Sequence, residues 1–201
     1  MWGGVEVTAV ELNPDIAAIY KDFYPDDNVI IGDAHEYLLE HFQEYDYIWS
    51  SPPCPTHSRM NHWRKSKTRA WGNKIKYPDM GLYQEIILLK TFFDGYYCVE
   101  NVMTYYDPLI IPQISGRHYL WSNFNITNMD IQKKVRNDKG MILSKKMDEM
   151  GIYVENFYNY NGDKRTLINN CVEPELGLHI YNCMLGIRTK LDVEQQDLFS
   201  P

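Results

Sequence analysis

Apolar and polar positions along this chain switch repeatedly between two periods. Val5, Val7, Ala9 and Val10 mark a strand over residues 5–12 that ends in Glu11-Leu12-Asn13-Pro14. Pro14 then opens a helix to about Tyr24, with Ile16, Ala17, Ile19, Tyr20 and Phe23 at helical spacing. Val29-Ile30-Ile31 reads as a buried strand stopped by Gly32-Asp33, and a helix from Ala34 to about Gln43 follows. A third strand, residues 45–49, runs into Ser50-Ser51-Pro52-Pro53-Cys54-Pro55. Residues 81–93 have a helical pattern, residues 96–99 form a strand ending in Glu100-Asn101, and residues 118–126 form an aromatic-rich strand. A last helix is predicted over residues 175–185.

Short apolar strands alternating with helices predict an α/β fold, a mostly parallel sheet with helices on both faces. Ligands of such sheets gather at the carboxyl ends of the strands. Glu11, Asp33, Cys54 and Glu100 all fall at those ends. Residues 125–165 are polar, Asn- and Lys-rich and without clear periodicity, which predicts a small insertion into a domain made of residues 1–124 and 166–201. The connection between Glu100 and Arg117 is short and leaves little room for a further strand.

Composition narrows the class. With 44% hydrophobic and 23% charged residues, the chain is of globular type. Runs such as Ile86-Ile87-Leu88-Leu89 are far too short to cross a bilayer, and no basic leader precedes an apolar core, so the expected location is cytoplasmic. Cys54, Cys98, Cys171 and Cys183 form no C-x-x-C pair, which suggests neither a metal site nor a disulfide framework. The net charge of −7 hides an asymmetry. Arg59, Arg64, Lys65, Lys67, Arg69, Lys74 and Lys76 lie between His57 and Tyr77 with no acid among them, leaving a strongly acidic remainder. A polyanion contact needs such a segment, although a solvated loop has the same composition.

Pro52 and Pro53 cannot continue a helix or supply ladder donors, so they force a rigid turn that presents Cys54 beyond the strand. Proximity to the basic segment is expected to favour its thiolate. A Cys–His hydrolase pair with His57 or His62 lacks any recognisable oxyanion donor or orienting partner.

Residues 51–58, Ser-Pro-Pro-Cys-Pro-Thr-His-Ser, resemble the Pro-Cys motif of the cytosine-5 DNA methyltransferases. Glu100-Asn101-Val102 is similar to that family's Glu-Asn-Val motif. Residues 111–117, Ile-Pro-Gln-Ile-Ser-Gly-Arg, resemble its Pro-Gln-x-Arg-x-Arg motif, with Ser115 in place of the first arginine. Residues 169–177 resemble its last motif, Gly-Asn-Ala-Val-x-Pro-x-Leu-Gly. The four occur in the family's order.

The resemblance implies a Rossmann-like, S-adenosylmethionine-dependent methyltransferase fold that flips a cytosine out of double-stranded DNA. It makes Cys54 the nucleophile, Glu100 the contact to N3 and the amino group, and Arg117 the contact to O2. Taken singly, Glu100 also fits a turn cap, and Arg117 an ion pair on the sheet. For the cofactor it implies Glu11 and Asp33, with Pro52, Asn170 and Leu82 as further candidates; Asp33 fits a helix cap as well. Ser58, Arg59, Arg64, Lys65, Lys67 and Arg69 become DNA contacts on a mobile loop, and Asn101 is expected to position the turn. The family opens with a strand and a Phe-x-Gly-x-Gly-Gly loop, whereas here Met1-Trp2-Gly3-Gly4 precede the equivalent of its second strand, so the first strand is expected to be missing or lost by truncation. An insertion of about 40 residues implies a phage-like enzyme of restriction-modification type with a short target. A catalytically silent DNA-binding relative and an RNA cytosine methyltransferase are the competing readings.

Overall fold

The computed structural model describes residues 4–59, 77–129 and 142–187. The fold is mixed α/β, and the chain divides into two compact units, one of Met1–His41 and Gln132–Gly177, the other of Phe42–Ile131 and Leu178–Pro201.

In the first unit, β1 (Thr8–Glu11) and β2 (Asn28–Ile31) pair in parallel, from Thr8 opposite Asn28 to Glu11 opposite Ile31. The crossover between them is α1 (Pro14–Phe23). Asn13 starts this helix: its Oδ1 accepts from the backbone N–H of Asp15 at 2.9 Å and of Ile16 at 3.2 Å, and Pro14 follows with φ already set for a helix. After β2, Asp33 starts α2 (Ala34–His41) in the same way. Later in the chain, α4 (Leu143–Met150) and α5 (Lys164–Asn169) bury Met147, Met150 and Ile168 against Leu143, Ile152, Val154, Phe157 and Cys171. These two helices lie in the stretch expected to be an aperiodic insertion and just beyond it. Eight and six residues long, they are too short to display a period.

The second unit is built on a four-stranded sheet in the order β3-β4-β6-β5, with β3 at Tyr47–Ser50, β4 at Tyr96–Val102, β5 at Gln113–Ser115 and β6 at His118–Ser122. β3 and β4 are parallel, while β4–β6 and β5–β6 are antiparallel. The expected mostly parallel sheet is therefore corrected to a mixed one. Only Gly116 and Arg117 separate β5 from β6, and two residues permit only a hairpin; Gly116 takes the left-handed φ of 56° that the turn requires.

The little room expected between Glu100 and Arg117 still holds one short strand, β5. Three residues suffice because the Gln113 side chain closes the sheet end: its amide nitrogen donates to Ser122 Oγ and the Phe124 carbonyl, both at 2.8 Å, and its Oε1 accepts from Ile126 N–H at 2.7 Å.

Helices lie on both faces of this sheet. The crossover helix α3 (Gly81–Phe92) packs on the face that carries Ser50 and Trp121, with Tyr83 edge-on to Trp121 at 6.4 Å between centroids. On the other face, Tyr47 meets Tyr181 of α6 (Pro174–Met184) at 6.2 Å. Between them Cys98, Val99 and Leu120 are fully buried. Burying one such aliphatic side chain stabilises by about 1.5–3 kcal/mol. At the start of β4 the backbones touch. A Cβ on Gly95 would lie 2.6 Å from the Asp46 carbonyl oxygen, which accepts from Tyr96 N–H at 2.9 Å, so glycine is required there. Among the described residues no helix is long and apolar enough to cross a membrane.

Candidate active site

β3 and β4 end side by side, and the chain turns sharply after each. Ser50 lies opposite Val99, so the residues that follow β3 run beside Glu100 and Asn101. Strand alternation sends Glu100 to one face and Asn101 to the other. The Asn101 amide nitrogen donates to the Pro52 carbonyl at 3.0 Å, fastening the proline turn to β4. This is the positioning contact expected of Asn101.

Beyond Pro53 the backbone coils once, with the Cys54 carbonyl accepting from His57 N–H at 3.0 Å and Ser58 N–H at 3.1 Å. Further contacts hold this coil. Thr56 Oγ1 accepts from Asp79 N–H at 3.0 Å, Tyr105 N–H donates to the His57 carbonyl at 3.2 Å, and Ser58 bridges to Thr104. His57 is wholly buried, with Nδ1 2.5 Å from Tyr106 Oη. Burial holds its pKa below the usual imidazole value against the opposing pull of Asp79, so it is a neutral anchor.

Cys54 is half-buried on this coil. Burial, and after it the negative charge of Glu100, raise the thiol's pKa; a backbone hydrogen bond pulls weakly the other way. Among the described residues the balance thus runs against the expected thiolate, because burial, and after it a carboxylate, disfavour the charged sulfur. The basic residues 64–76 expected to favour it lie outside the described residues. Glu100 is 8% exposed and accepts from His118, itself 7% exposed, with Nδ1 to Oε1 at 2.5 Å.

Arg117 is exposed in the β5–β6 turn, one residue before His118. The structure therefore brings together Cys54, Glu100 and Pro52, adds His118, and leaves Arg117 exposed in the β5–β6 turn. Sequence reasoning passed over His118. It opens β6 opposite Val102, while Leu120, two residues on, lies opposite Glu100, so histidine and glutamate are diagonal neighbours on one face. That register is not written in either strand alone.

Of the cofactor candidates, Glu11 and Asp33 stand in the first unit at the adjoining carboxyl ends of β1 and β2. Glu11 Oε1 accepts from Asn13 N–H at 2.8 Å, and Asp33 Oδ1 accepts from His35 N–H at 2.8 Å and Glu36 N–H at 3.2 Å. Asp33 is thus a helix cap whose carboxylate is nonetheless exposed. Asn170 closes α5 and is exposed; Leu82 is buried in α3 of the second unit. Of the candidate DNA contacts, Ser58 lies in the bridge to Thr104 and exposed Arg59 donates from Nε to the Thr104 carbonyl at 3.2 Å. Arg64, Lys65, Lys67 and Arg69 lie outside the described residues, as does His62.

No family model and no curated protein matches the chain. Among solved structures it is similar to a triple mutant of DNMT2 from Spodoptera frugiperda, at 17% identity and a TM-score of 0.35. That match covers 66% of this chain and 46% of the other, so the chain spans less than half the length of that structure.

Proposed function

We propose that this chain is the core of a cytosine-5 methyltransferase of Rossmann-like fold that acts on DNA. One observation carries the reading: Cys54 and Glu100, on turn and strand at the ends of adjoining parallel strands, are close enough for the carboxylate to act on the thiol. Carbon 5 of cytosine is a poor nucleophile until the ring is activated. Cys54 Sγ forms a bond to carbon 6 as its proton passes by way of the Glu100 carboxyl to N3, which takes up the displaced electron pair. After carbon 5 has been methylated, loss of its proton to water breaks the bond from sulfur to carbon 6 and releases Cys54. The Glu100 carboxyl meets N3 and the amino group, and Arg117, exposed in the β5–β6 turn, is the candidate for O2. S-adenosylmethionine, when bound, supplies the methyl group. Glu11 and Asp33 fit its ribose and adenine, because acids at neighbouring strand ends accept from hydroxyl and amino donors. Pro52 and Asn170 are the further candidates to hold it. Arg59 and the basic residues after it supply phosphate contacts to a duplex from which the base has been extruded.

The raised thiol favours a second reading, a silent relative that only binds DNA. Mass spectrometry of the chain with S-adenosylmethionine and duplex DNA containing 5-fluorocytosine separates the two. A covalent adduct that disappears in Cys54→Ser supports the enzyme. No adduct, or an adduct that survives the substitution, overturns it.

A further inference from the structure

We infer that His118 is the positioning residue for Glu100, holding one carboxyl oxygen so that the other is turned towards the bound pyrimidine. The inference deepens the proposed reaction and rests on that reading of Glu100. It stands on the contact between two nearly buried side chains, His118 Nδ1 at 2.5 Å from Glu100 Oε1. A carboxylate removed from water needs a donor, and one that is free to rotate would present either oxygen to a base. His118 removes that freedom. Its backbone is locked by the β4–β6 ladder at Val102 and by the β5–β6 ladder at Ser115, so the imidazole is held from both sides of its strand. Donation from Nδ1 also fixes the tautomer. Arg117, exposed in the preceding turn, is one residue too early to occupy this place.

Two substitutions in the whole chain test the assignment. His118→Leu removes the donor while keeping bulk, and His118→Asn restores a donor near the position of Nδ1. With duplex DNA and S-adenosylmethionine, His118→Leu is expected to lower kcat about a hundredfold with KM changed less than about threefold. His118→Asn is expected to recover about tenfold of that loss. An unchanged kcat in His118→Leu, or no recovery in His118→Asn, overturns the inference. A second measurement needs no activity: the NMR titration of His118 is followed in wild type and in Glu100→Gln. Loss of the carboxylate is expected to lower the midpoint, and an unmoved midpoint also overturns it. If the wild type forms no 5-fluorocytosine adduct, the methyltransferase reading fails. The titration still decides whether the two side chains are paired.

Discussion

Burial and, after it, the Glu100 carboxylate across the gap between β4 and the proline turn raise the proton affinity of Cys54. The coupling is reciprocal. Whatever neutralises the carboxylate, whether a proton or a bound pyrimidine ring, makes the thiol more acidic. A resting sulfur that stays protonated until the base arrives is less exposed to stray alkylation and oxidation.

Glu100→Gln is therefore expected to accelerate alkylation of Cys54. The pH at which iodoacetamide labelling reaches half its maximal rate should fall in the variant. The wild-type midpoint should lie above that of an ordinary cysteine, since burial and then Glu100 raise its folded pKa. An identical labelling profile would remove the electrostatic link between the two residues.

Asn101 offers a purely structural counterpart. Asn101→Ala takes away the donor to the Pro52 carbonyl and is expected to destabilise the protein by about 1–3 kcal/mol. Calorimetry should show the lowered Tm. Slower methyl transfer should accompany it, because the turn carrying the sulfur is no longer fastened to β4.

Asp33 has two duties that one substitution can part. Asp33→Asn keeps a good helix cap for α2 and should leave Tm within about a degree, whereas Asp33→Ala should lose about 0.5–2 kcal/mol. If the carboxylate also meets the cofactor, both variants should weaken S-adenosylmethionine binding about tenfold or more by isothermal titration. Unchanged affinity in Asp33→Asn would reduce the residue to its cap.

Alkaline stability depends on Tyr47 and Cys98. Burial raises the pKa of both, so the folded chain keeps protons that the unfolded chain releases. Their stabilisation is complete below the unfolded thiol and phenol values and declines as pH climbs beyond about 8.5–10. Tyr47 Oη is buried with no hydrogen-bond partner among the described residues. Tyr47→Phe should therefore stabilise the chain by about 1 kcal/mol at neutral pH and flatten the alkaline decline in urea unfolding.

Much of the fold could be read from local pattern. Asn13-Pro14 announces α1, Gly32-Asp33 separates β2 from α2, and the proline pair after Ser50 ends β3, because each acts through its own backbone. The strand at residues 113–115 could not be read, since three residues carry no period and Gln113 works through partners up to thirteen positions away. Glu100 was located, but inside β4 rather than beyond its end, and its partner followed from a cross-strand register that no linear motif encodes. The sign of the shift at Cys54 was hidden for the same reason. Sequence proximity pointed to cations, while burial of the thiol, and after it a carboxylate 46 positions later on the neighbouring strand, push the other way.

The coil bearing Cys54 is tied to Asn101 within β4, to Tyr105 and Tyr106 beyond it, and to Asp79 ahead of α3. A sulfur anchored on so many sides cannot travel to meet its target. On the proposed reading, adjustment therefore falls to the polynucleotide, which would swing its base across to a stationary anvil.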